Sequence, residues 1–298
     1  MLITNVFRAA MLTLCLLLYA CTSSPEIQKV SVFSGVTIDK NCGASVVIDN
    51  METFRRFQLD AWLIEFPFEL SARHTGSDFR YYEKHTIDTL VTVFQTENIP
   101  YVLCFPLDNP QNYPLKNARI AHYLSDVSGI LLRTHDYPPI AIVFSGIWMN
   151  PAFYREDFLR FVGELKTSFE GFTGDIVFAG FPHELMGDFD WDSPDVIGIR
   201  YHEPLSENLD LYYAGLNKEI GCYLLEHDKP GMIVHSNLFG DKKLDLFRGQ
   251  LSFWPDSVEI KGIALNSLHC EMSLSGKNAF FSLSEDQAFL DFLKDYLN

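Results

Sequence analysis

Short apolar runs alternate with amphipathic stretches along nearly the whole chain, and this alternation constrains the fold more than any other feature. The apolar runs are VSVFSGVTID (30–39), DAWLIEFPFE (60–69), YVLCFPLD (101–108), IAIVFSGIW (140–148), DIVFAGF (175–181), DVIGIRYHEP (195–204), MIVHSN (232–237) and IKGIALNSLH (260–269). They are rich in Val and Ile and almost continuously apolar, as strands buried on both faces of a parallel sheet must be. Between them lie stretches with one apolar stripe, such as YEKHTIDTLVTVFQTEN, FYREDFLRFVGELKTSF and LDLYYAGLNKEIGCYLLEH, which read as covering helices. The fifth run leads instead into a short acidic segment, ELMGDFDWDSP. Eight such units predict an α/β chain closed into a single (β/α)8 TIM barrel. No GxGxxG follows the first strand, which disfavours an open dinucleotide-binding sheet, and no cofactor is expected. The 298 residues contain neither a low-complexity linker nor a composition break, so one barrel domain is the economical reading.

The N-terminus reads as an address. Arg8 is the only charge before the run AAMLTLCLLLYA (9–20), which falls short of the roughly 20 apolar residues a membrane span needs and suits a signal peptide. The run ends in LYAC (18–21), which resembles the lipobox of bacterial lipoproteins, with Cys21 as the lipidated residue. An ordinary secretory signal with nearby cleavage is the other reading. On the lipoprotein reading, residues 1–20 are removed, 21–30 form a tether and 31–298 form the barrel. The location expected is the bacterial cell envelope, lipid-anchored to a membrane at the periplasmic face or the cell surface. The formal charge is −16, and no Lys/Arg run or basic stripe occurs, which argues against nucleic acid or anionic headgroups as partners. The partners expected are a carbohydrate or an envelope protein, with the lipid anchor in the membrane. Once Cys15 leaves with the signal and Cys21 is lipidated, Cys42, Cys104, Cys222 and Cys270 remain, with no CxxC among them. Cys42 and Cys270 each follow the mouth end of the first or last strand, which are neighbours in a closed barrel. They can form a disulfide if their Cα atoms come within about 7 Å. Cys104 and Cys222 are expected to be buried thiols.

Barrel sites form at the C-terminal ends of the strands. Reading those ends gives Asp39, Glu65 and Glu69, Asp108, then Ser145 and Trp148 across the first four strands. The last four give His183 and Glu184, then Arg200, His202 and Glu203, then His235 and Asn237, then Asn266 and His269. Four histidines thus mark consecutive strands five to eight.

The stretch WDSPDVIGIRYHEPL (191–205), followed by KPGMIVHSN and IKGIALNSLH, resembles the C-terminal half of clan A glycoside hydrolases, most nearly the family 113 β-mannanase-like barrels. The similarity is readable over roughly 170–270 and only architectural before that. It implies a catalytic acid at the end of strand four and a nucleophile at the end of strand seven. Those positions fall in FSGIW, at Trp148 or a neighbour, and on His235. Retaining glycosidases need two carboxyl groups about 5 Å apart, and neither position supplies one.

Four readings follow. A degenerate hydrolase would bind sugar without cleaving it, using His202, His235, Trp148, Asn237, Asn266, Asp39 and Arg200, with Tyr201 and Trp191 as further stacking faces. An active hydrolase would have moved its carboxylates, Glu203 foremost and Glu184 next, because Glu203 follows a histidine able to tune it. A metal-dependent hydrolase would gather His183, His202, His235 and His269 on zinc or manganese, although VTIDK in the first strand lacks a His-x-His. A non-catalytic scaffold or assembly subunit of the envelope would use the barrel only as a platform.

Overall fold

A computed structural model describes residues 27–38, 43–66, 68–69, 84–108, 117–145, 155–168, 172–186, 192–202, 204, 207–236, 238, 242–268 and 287–297. The strands are β1 (Ser31–Thr37), β2 (Ala61–Glu65), β3 (Phe68–Glu69), β4 (Tyr101–Asp108), β5 (Ala141–Ser145), β6 (Asp175–Gly180), β7 (Val196–Arg200), β8 (Gly231–His235) and β9 (Ile260–Leu268). All pair in parallel. The ring runs β1-β2-β4-β5-β6-β7-β8-β9 and closes through the β1–β9 pairing. The chain is therefore a single closed eight-stranded (β/α)8 barrel, and the two-residue β3 is an extension on the mouth side of β4. The second apolar run, expected as one strand, gives β2 and β3 as separate strands.

The helices are α1 (Ala44–Asp49), α2 (Met51–Arg56), α3 (Lys84–Glu97), α4 (Asn117–Leu132), α5 (Arg155–Ser168), α6 (Pro182–Leu185), α7 (Leu209–Glu226), α8 (Lys243–Leu251) and α9 (Gln287–Leu297). Among the described residues no helix is long and apolar enough to cross a membrane. Strand alternation splits the core in two. Phe33, Leu63, Cys104, Val143, Val177, Ala179, Val196, Met232 and Val234 are among the residues filling the barrel interior. Their neighbours, such as Ile64, Phe105, Phe144, Phe178, Ile199 and Ile233, pack outward against the helices. Cys104 is buried as expected, but Cys222 is exposed. The buried stripe of α7 runs through Leu209, Tyr213, Asn217, Ile220, Gly221 and Leu224, and one further residue round the helix turns position 222 to solvent.

The N-terminal face is closed by the segment that enters β1. Gln28 N–H donates to Leu251 O at 3.0 Å, and Ile27 bridges Ser252. The Tyr296 hydroxyl donates to Gln28 O and accepts from Val30 N–H, each at 2.7 Å. Residues 27–30, reckoned above with the tether, therefore lie against the base of the barrel.

Candidate functional site at the barrel mouth

The site begins with a packing constraint. Gly198 pairs with Ala179 of β6 on one side and Met232 of β8 on the other. A Cβ at 198 would lie 2.4 Å from Ala179 Cβ, so the glycine of VIGIR is what lets β6 and β7 approach inside the barrel. Two residues on, Arg200 reaches past this small-residue layer to β5, and its Nη1 donates to Ser145 Oγ at 2.9 Å. Such a bond skips a strand. It needs a long side chain on one strand and a small one, Ala179, on the strand between, since Ala179 is the residue that pairs with Ser145.

Phe181, immediately after β6, organises the rest. Alternation from Val177 and Ala179 puts it on the interior face, at the rim. The Arg200 guanidinium carbon stands 4.9 Å from its ring centre, a cation–π distance. The His202 ring is 3.6 Å from the Phe181 ring and within 8° of parallel, and His183 lies 5.7 Å from His202. Both histidines are exposed, so the stack opens to solvent. Burial lowers the His202 pKa below 6.5. His183 and Arg200 push the same way, while Glu184 opposes them. His202 is therefore a neutral imidazole at pH 7, offering one donor, one acceptor and a flat face.

The strand-end carboxylates fare differently. Glu65 is 8 % exposed and accepts from Thr37 Oγ1 at 2.9 Å, locked between β1 and β2. Glu184 accepts the Phe181 N–H at 2.7 Å. It thereby caps the single turn of α6, which gives it a structural task that aims the Phe181 and His183 rings. Glu69 and Asp108 pair across β3 and β4, and Asn266 lies in β9. His235, last in β8, is set beside Arg200 by a register shift at Ile199/Arg200. Such a bulge re-aims side chains next to functional clefts.

Tyr201 does not belong to the mouth. It is 1 % exposed, in the layer between barrel and helices, and its hydroxyl donates to Asn217 Oδ1 at 2.6 Å. Alternation explains the placement, since 201 shares the outward face of Ile197 and Ile199. Burial, with Tyr213 and Tyr212 nearby, pushes its pKa far up. Asp39, Trp148, Trp191, Glu203, Asn237, His269, Cys21, Cys42 and Cys270 lie outside the described residues. Among the described residues no group of three His, Cys, Asp or Glu side chains is placed to hold a metal ion. Phe181 is the participant the strand-end reading missed. Its apolar character reads as core, and only the period-two count from Ala179 marks it as rim.

No protein-family model matches the chain, and no curated protein matches it. Solved structures do. A GH113 β-mannanase from Alicyclobacillus acidocaldarius, in complex with ManMIm, is 9 % identical and superposes with a TM-score of 0.65 over 91 % of this chain and 97 % of its own. A GH113 β-1,4-mannanase is 10 % identical, with a TM-score of 0.62 over 91 % of this chain and 99 % of its own. The tryptophan synthase α chain of Legionella pneumophila also matches, at 11 % identity and a TM-score of 0.51, over 90 % and 92 %. At such identities the likeness speaks for the fold.

Proposed function

We propose that this chain is a lipid-anchored envelope protein whose barrel mouth binds carbohydrate without cleaving it by the two-carboxylate mechanism. The observation that carries this reading is the open stack of Phe181, His202 and His183 beside Arg200. Flat rings bind the apolar faces of pyranoses, and imidazole and guanidinium N–H groups bind their hydroxyls. The GH113-like fold and the resemblance of the 191–205 stretch support sugar as the ligand class. Hydrolysis is disfavoured because FSGIW, where the resemblance puts the acid, holds no carboxylate, because β8 ends in His235, and because the Glu184 carboxylate is engaged by a backbone N–H. A general acid or nucleophile needs a carboxyl group free to face the glycosidic oxygen or the anomeric carbon.

The anchor suits this reading. Six residues from Cys21 to Ile27 reach at most about 20 Å. With residues 27–30 held at the base, a lipidated Cys21 keeps that face near the membrane and turns the mouth outward.

Calorimetric titration with β-linked oligosaccharides, paired with a reducing-end assay, tests the proposal. Binding without release of reducing ends is expected. Release that disappears in Glu203→Ala or Glu184→Ala would replace it with displaced catalysis.

A further inference from the structure

We propose that Arg200 is a carboxylate subsite, so that the saccharide taken at the mouth carries a uronic acid. The proposal rests on the reading of the mouth as a saccharide site and names the class of sugar.

The first support is the state of the guanidinium. Arg200 is half-buried, and its contacts among the described residues are one hydrogen bond to Ser145 and the face of Phe181. No carboxylate pairs with it there. Three other basic side chains of the described surface have acidic partners, Arg55 with Glu97, Arg133 with Asp88 and Lys261 with Asp175, whereas Arg56 and Arg248 lie over aromatic rings as Arg200 does. The chain has 39 acidic residues against 23 Lys and Arg, so an arginine without an acidic partner among the described residues is not explained by a shortage of acids. A partly dehydrated charge gains most from an ionic partner, and here that partner is left to a ligand.

The second support is shape. A guanidinium presents its N–H groups as a planar fork that matches a carboxylate in bidentate fashion. Ser145 and Phe181 hold the Arg200 fork from two sides, so little side-chain freedom remains to be lost on binding. The adjacent imidazoles add what a sugar ring requires beyond the charge, a flat face and neutral hydrogen-bonding atoms. Glu184, the carboxylate close enough to act on His202, is occupied by the Phe181 N–H and does not compete for Arg200. Neutral sugars offer hydroxyls, which any donor can satisfy. A fork that only donates selects for an oxyanion.

The test is calorimetric titration of the full chain at pH 7 with three probes: β-1,4-linked trimannuronate, the same trisaccharide with its carboxyls reduced to alcohols, and inorganic phosphate. The acidic trisaccharide is expected to bind at least about tenfold more tightly than the reduced one, the scale of one charge-assisted hydrogen bond. Arg200→Gln is expected to abolish that preference. Arg200→Lys, which keeps charge and most of the volume, is expected to fold and to retain only part of it. Equal affinity for both trisaccharides would overturn the subsite and leave the saccharide reading standing, as would a preference that survives in Arg200→Gln. Silence of both trisaccharides would overturn the two together. Phosphate binding that depends on Arg200 without any saccharide binding would reassign the fork to a free oxyanion.

Discussion

Replacing Gly198 with alanine probes the layer on which the site is built. The added Cβ would lie 2.4 Å from Ala179 Cβ, 2.8 Å from Ala179 Cα and 3.0 Å from Val177 Cγ1. Carbon atoms in contact prefer about 3.5–4.0 Å, so β6 and β7 would have to part by roughly 1 Å. Their hydrogen-bonded spacing of about 4.8 Å resists that. Overpacking of this kind costs about 1–3 kcal/mol. The upper end is expected, because one close contact is with backbone. For a chain this long each kcal/mol is worth about 2–4 °C, so a cost of about 2–3 kcal/mol should lower the melting midpoint by roughly 4–12 °C. Adding Ala179→Gly removes the nearest contact and leaves the one to Cα, so the double variant should recover part of the loss. Because Arg200 is two residues further along β7, Gly198→Ala should also weaken binding at the mouth. Thermal melts by circular dichroism read the first effect and calorimetry the second. A midpoint within about 1 °C of wild type would refute the packing argument.

Three further outcomes are expected. His202 should titrate below 6.5 by histidine NMR. Arg200→Gln or His183→Asn should raise its pKa and Glu184→Gln should lower it. Since its folded pKa is depressed, the unfolded chain takes up the proton first, and this site's share of stability is present above pH 6.5 and lost as pH falls below it. Asn217→Ala should destabilise by about 2–4 kcal/mol in urea unfolding, because it strands the buried Tyr201 hydroxyl and removes the amide's bonds to the carbonyls of Gly249, Gln250 and Ser252. A thiol reagent should modify Cys222 in the native protein and Cys104 only on unfolding, as their exposures require.

The barrel was legible because buried parallel strands need unbroken apolar runs, and each of the eight runs corresponds to one strand of the ring. The strand-end rule also brought Arg200, His202, His183, Glu184 and Ser145 to one rim. What the sequence did not show is which partners they choose. The Arg200–Ser145 bond joins strands that are not neighbours, 55 residues apart in the chain, and depends on Ala179 being small. The register shift that puts His235 beside Arg200 has no local signature, because Ile-Val-His reads as regular strand. Tyr201 was legible in principle, since counting by two from Ile199 sends it outward, but a tyrosine at a strand end invites the opposite reading. Cys222 failed on one step of helical phase.

The central claim is that the stack at the ends of β6 and β7 holds a sugar that stays intact. It is tested most directly by titrating a β-linked oligosaccharide while following the NMR signals of His183, His202 and the Arg200 side chain, then chromatographing the saccharide from the same tube. Saturable shifts at these three residues and an unaltered saccharide are expected. Unmoved signals, or a cleaved saccharide, would contradict it.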